Sequence, residues 1–134
     1  MLDGAFHCSQ VALPGMVERG YGRIINIGGV SQHVGTPNRA HVVMAKAGLA
    51  GLTRALAAEF AKDGITVNCV APGLIGGERP ASAGQLPPGS ASRVLVGREG
   101  TFDEVADTVV HLCMPNSGYI TGQTLHVNGG MFLT

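Results

Sequence analysis

Residues 45–73 read AKAGLAGLTRALAAEFAKDGITVNCVAPG. Leu49, Leu52, Leu56 and Phe60 recur at three- and four-residue steps, the period of one face of an α-helix. Lys62-Asp63-Gly64 stops the pattern, with Gly64 suited to the left-handed turn that often follows a last helical turn. Ile65 to Val70 follows at once as a short apolar, β-branched run, the mark of a buried strand, and Pro72-Gly73 turns the chain. A long helix feeding straight into a buried strand is the unit of an α/β fold. Ala47, Gly48, Ala50 and Gly51 form a small-residue patch that another backbone or helix could approach closely.

Both flanks repeat the unit. Upstream, Arg23 to Ile27 reads as a second buried strand, preceded by a helix from Leu2 to Arg19 and the stop Gly20-Tyr21-Gly22. That helix shows a rough apolar face of Leu2, Phe6, Ala12, Leu13, Met16 and Val17, and Pro14 is expected to kink or locally adjust it. Gly28, Gly29, Gly35 and Pro37 mark a loop before the long helix, predicted over 38–62. Downstream, residues 71–100 read as a long Gly-, Pro- and Ser-rich loop with room for one short helical piece. Thr101-Phe102-Asp103-Glu104 fits a capping box opening a helix with Val105, Val109 and Leu112 on one side, ended by Pro115 and Gly118. Gln123 to Val127 is a last strand before Gly129-Gly130. This alternation predicts a parallel sheet with crossover helices.

Of the 134 residues, 45% are hydrophobic and only 13% charged, which suggests surface buried against something else. Formal net charge is zero and no Lys/Arg run exists, so nucleic acid and anionic membranes are not expected partners. The widely spaced Cys8, Cys69 and Cys113 each sit in or beside an apolar run and read as buried, reduced thiols of a cytoplasmic protein. The five histidines share no metal-ligand spacing, so no metal site is expected. No basic leader or apolar run of membrane-spanning length occurs.

Four stretches in order, GRIINIGG, the 45–73 segment, GREGTFDEVADTVVHL and YITGQTLHVNGG, resemble the short-chain dehydrogenase/reductase family, close to 3-oxoacyl-carrier-protein reductases. The resemblance implies an α/β, partial Rossmann-type sheet holding the last three of the family's seven strands, with residues 1–134 as the C-terminal half of the domain. It also implies NAD- or NADP-dependent interconversion of carbonyl and alcohol. No GxGxxG or GxxxGxG pattern follows a strand in these residues, so the loop that seats a cofactor pyrophosphate is not among them.

The family uses an Asn-Ser-Tyr-Lys set, and the resemblance carries over only in part. Lys46 takes the lysine position. The tyrosine position, one turn earlier, holds Val42, which has no proton to give. His41 is the neighbour, a proton-transfer candidate or a surface histidine; one residue is about 100° around a helix. The serine position, thirteen residues before Val42, holds Gly29; Ser31 is either a displaced substitute or an ordinary loop serine. Met1 stands at the asparagine position. Pro72, Gly73 and Ile75 match the turn that contacts nicotinamide, but Gly77 replaces its threonine, and Asn128 stands where aspartate is usual. The loop over 78–93 corresponds to the substrate lid, and its composition predicts mobility.

The expectation is therefore an oxidoreductase-like chain that does not turn over by itself, its strand 23–27 left with an open edge. The alternatives are a non-catalytic partner subunit, a split enzyme and a truncated gene product. The resemblance implies a homo-oligomer, or a hetero-oligomer with a family homologue, through the helices at 2–19 and 38–62.

Overall fold

A computed structural model describes residues 1–78, 86 and 88–134. Among the described residues four α-helices and three strands follow in order: α1 (Leu2–Glu18), β1 (Gly22–Ile27), α2 (Ser31–Val34), α3 (Ala40–Phe60), β2 (Ile65–Pro72), α4 (Phe102–Cys113) and β3 (Thr124–Val127). The strands form one parallel sheet in the order β1-β2-β3, with Gly22 opposite Ile65 and Cys69 opposite Thr124. β2 is central and buried along nearly its whole length, which is why it reads as a continuous apolar run. β1 is an edge strand, as expected.

The core forms where α1 and α3 meet the sheet. Leu13, Leu56, Ala57, Ile65 and Val67 are buried together, with Met16, Ile24, Leu52 and Phe60 packed around them. Burying side chains such as Ile65 or Val67 stabilises by about 1.5–3 kcal/mol each. Gly48 lets α1 come close, because a β-carbon there would collide with Leu2. The expected face of α1 needs correction. Phe6 and Val17 are exposed, and the inward residues are Ser9 and Leu13. Ser9 is tolerated inside because its hydroxyl donates to the Ala5 carbonyl at 2.8 Å. α1 also runs unbroken through Pro14; the carbonyl that proline deprives of a donor belongs to exposed Gln10, where water can serve it.

The cysteine expectation is corrected as well. Cys69 is buried, but Cys8 and Cys113 are exposed. Each precedes or follows an inward residue, Ser9 or Leu112, and a step of one residue turns the side chain about 100° around the helix. One other expectation changes in detail: the glycine-rich stretch after β1 contains the single-turn helix α2. The short helical piece expected in the long loop is a 3-10 turn at Ala91–Arg93. An isolated parallel bridge between Ile75 and Gly100 pins that loop's two ends. Most of the expected lid falls on residues 79–85 and 87, outside the described residues.

Buried polar side chains fix the strand positions. Asn68 donates to the Ile120 carbonyl at 2.7 Å and accepts from the Gln123 amide at 3.1 Å, which locates the start of β3. Asn26 donates to Thr53 Oγ1 at 2.9 Å, which locks β1 to α3.

The capping box at α4 is present in full. The Glu104 amide donates to Thr101 Oγ1 at 3.2 Å, and the Thr101 amide donates to Glu104 Oε2 at 2.8 Å. Arg98 adds a 2.6 Å ion pair, and its bond to the carboxylate, with the Thr101 amide second, lowers the Glu104 pKa from 4.5 to about 2. A depressed carboxylate contributes stability above its unfolded pKa and loses it as pH falls. Helix stability measured by circular dichroism in urea is expected to drop between pH 4.5 and about 2 in the native chain. Glu104→Gln should flatten that limb; an unchanged acid limb would count against this role.

Candidate functional site

A cleft of about 280 Å³ opens beyond the C-terminal ends of β1 and β2. Open parallel sheets bind ligands at this end of their strands. Gly28, Gly29 and Ser31 line it after β1, Pro72 and Gly73 after β2, and Val42 from the first turns of α3. Leu74 and Met131 extend the apolar wall.

Gly73 is a glycine for a local reason. A β-carbon there would stand 2.7 Å from Asn128 Cα, so the turn after β2 packs directly on the backbone after β3. Asn128 uses both ends of its amide: Oδ1 accepts from the Gly130 amide at 2.9 Å and Nδ2 donates to the Phe132 carbonyl at 3.0 Å. Aspartate would keep the first bond and lose the second. Phe132 in turn stacks on His33 of α2 at 4.6 Å, with His126 at 4.8 Å from the same imidazole. Burial, and then the His33 charge, lower the His126 pKa. This ring cluster ties the chain's end to α2 and holds Met131 beside the cleft.

The candidate residues divide into two groups. Gly29, Ser31, Val42, Pro72 and Gly73 converge on the cleft. Lys46, His41 and Ile75 do not line it. The Lys46 ammonium donates to the Ile27 carbonyl at 2.6 Å. The direction of that bond follows from strand geometry. The Gly28 amide donates to Val70 across the ladder at 2.8 Å, so the groups of Ile27 point the other way, to the unpaired edge of β1. Lys46 therefore satisfies an edge acceptor. Burial lowers its pKa, and Cys69 nearby partly offsets that. Burial raises the Cys69 thiol in turn, which keeps it protonated and unreactive.

Ser31 Oγ lies 3.7 Å from where a β-carbon on Gly29 would begin. One turn of α2 thus returns a hydroxyl toward the place that position 29 leaves bare. His41 is exposed on the first turn of α3. Ile75 belongs to a second hollow with Val94, Val96 and His126. Gly77 has φ +121°, a backbone conformation that disfavours a threonine; the Phe102 ring, 2.7 Å from where a β-carbon would start, is exposed and free to swing aside. Arg39 and Arg93 line the cleft and were not singled out from the sequence. Arg39 could have been found, since it lies three residues before Val42 and so on the same side of the helix start; nothing marked Arg93 within its loop.

The family description "Enoyl-(Acyl carrier protein) reductase" matches residues 1–132. A 3-oxoacyl-[acyl-carrier-protein] reductase FabG of Staphylococcus aureus is 43% identical over 133 residues, covering 98% of this chain and 54% of that protein. The chain belongs to the short-chain dehydrogenase/reductase family. Other members of it range more widely in their named activities. A 2,3-dihydroxy-2,3-dihydro-p-cumate dehydrogenase of Pseudomonas putida is 45% identical over 130 residues, 94% of this chain and 50% of that protein. The crystal structure of acetoin dehydrogenase YohF from Salmonella typhimurium superposes with a TM-score of 0.83 at 40% identity, covering 99% of this chain and 52% of that one. The chain thus spans about half the length of the short-chain dehydrogenase/reductases it matches. No helix among the described residues is long and apolar enough to cross a membrane.

Proposed function

We propose that this chain is an oxidoreductase-like member of the family whose cleft binds a ligand without completing carbonyl/alcohol interconversion. The observation that carries this is the pair formed by Val42 and Lys46. An aliphatic side chain occupies the cleft where a proton donor is needed, and the amine one turn later is bonded to the Ile27 carbonyl. General acid–base groups contribute about 10²–10⁴-fold each, so their absence is decisive for rate. Ser31 supplies a hydroxyl that could orient a ligand oxygen, but a neutral serine is a poor acid. His41 is exposed and outside the cleft lining.

The residues fit at most the nicotinamide end of NAD or NADP. The Pro72-Gly73 backbone offers a wall for it, while Gly77 supplies no hydroxyl and Lys46 is turned to the β1 edge. Calorimetric titration with NADH and NADPH is expected to show no binding tighter than about millimolar. Micromolar binding to this chain would overturn the reading.

Exposed apolar side chains favour a second, compatible role as a partner subunit. Val11 on α1 is 83% exposed and Met44 on α3 is 70% exposed. The outward small residues Ala47 and Gly51 leave α3 approachable. Homo-oligomerisation, or pairing with a family homologue, through α1 and α3 would cover these surfaces. Light scattering on the purified chain should give a mass above the monomer, reduced by Met44→Glu. A monomer at all concentrations, with or without a family homologue present, would remove this role.

A further inference from the structure

The charges around the cleft are one-sided. Arg39 and Arg93 line it from two separate segments, and among the described residues no aspartate or glutamate does so. The nearest acids in sequence on either side of Arg93, Glu78 and Glu99, are absent from the lining. Much of the remaining wall is hydrocarbon, including Val30, Val34, Leu74 and Leu86. Arg39 is also the residue from which α3 starts, so the positive end of a 21-residue helix adds to the two guanidinium charges. The cavity, about 280 Å³, sits just below the usual small-molecule range of roughly 300–1,000 Å³, so its ligand is small.

We propose that this cleft selects a short aliphatic carboxylate, its hydrocarbon tail on the valine and leucine wall and its charge on Arg39 and Arg93. Neutral carbonyl compounds of the same shape bind more weakly. Arginine suits this role because it stays ionised and presents paired donors to a carboxylate. Arg39 is already engaged within the fold, which fixes its charge beside the cleft, and Arg93 presents the paired donors. This inference rests on the cleft being a ligand site. It does not depend on whether the ligand is turned over.

The test is calorimetric titration of the whole chain with hexanoate and with hexanamide, its neutral isostere, at low ionic strength. Charge-assisted bonds to arginine are stronger than neutral ones, so hexanoate should bind at least roughly tenfold more tightly. Arg39→Gln and Arg93→Gln should each remove most of that preference, and Arg39→Lys should retain part of it. Arg39 makes no side-chain cap to α3, so glutamine there leaves the helix start intact; circular dichroism checks this. Arg54→Gln, an exposed site on α3 outside the cleft lining, should change nothing. Equal binding of the two probes, binding of neither, or a preference that survives both glutamine variants would overturn the proposal. Ketone reduction by a chain that still prefers hexanoate would defeat the non-catalytic reading and leave this one standing. A chain with no turnover and no hexanoate preference would do the reverse.

Discussion

Gly64→Ala is expected to destabilise the chain by about 2–4 kcal/mol, a large share of the stability of a domain this size. Two effects act together. Gly64 has φ +75°, a left-handed conformation that disfavours any β-carbon. That β-carbon would also fall on the carbonyl oxygen of Gly20, in the turn that joins α1 to β1. The second obstacle is backbone, so no rotamer change relieves it. Gly20→Ala separates the two effects. Its φ is +64° but nothing lies within 4 Å of the added carbon, so a loss of about 1 kcal/mol is expected from conformation alone. Urea denaturation gives both values. Equal losses at the two glycines would show that the contact between the turns carries no weight.

The second large effect is an activity that should fail to appear. Val42→Tyr combined with Gly29→Ser restores the two side chains that the family resemblance calls for. Both should be accommodated: among the described residues a side chain at 29 meets only Ser31, at ordinary contact distance, and position 42 opens into the cleft. Reduction of a simple ketone by NADPH is nevertheless expected to stay at the rate without protein. The new phenol would find no ammonium beside it in the cleft, because Lys46 is bonded to the Ile27 carbonyl, and its proton would be held too tightly for neutral pH. No glycine-rich turn in these residues seats a pyrophosphate. Loss of NADPH absorbance that scales with the amount of the double variant would refute the account of Lys46 given above.

The fold was largely legible because its strongest elements are periodic. Leu49, Leu52, Leu56 and Phe60 mark α3, and the unbroken apolar run from Ile65 marks β2; both patterns come from one-sided and two-sided burial respectively. The Thr101 capping box was readable because its two partners are fixed by local spacing. What escaped lacks a period or depends on distant chain. α2 is only four residues long, too short for a helical repeat to show. The burial of Ser9 in place of Phe6 reflects how α1 is rotated against the sheet, which its own composition does not reveal. At the site, the emptied tyrosine position was legible by counting back from Lys46. The partner of Lys46 was not, since it follows from which way one carbonyl of β1 points. Arg39 could have been read from its spacing to Val42, whereas Arg93 reaches the same cleft only through tertiary folding, more than fifty residues of chain away.

The alternation in β1 has a consequence for isotope labelling. The amides of Ile24 and Asn26 share the direction of Gly28 and are held by β2, while those of Arg23, Ile25 and Ile27 face the side without a strand. In deuterated water the strand should behave as two interleaved populations, one slow and one fast. Whatever chain comes to lie along that side would slow the fast set alone, so residue-by-residue exchange reports directly on when the sheet is completed.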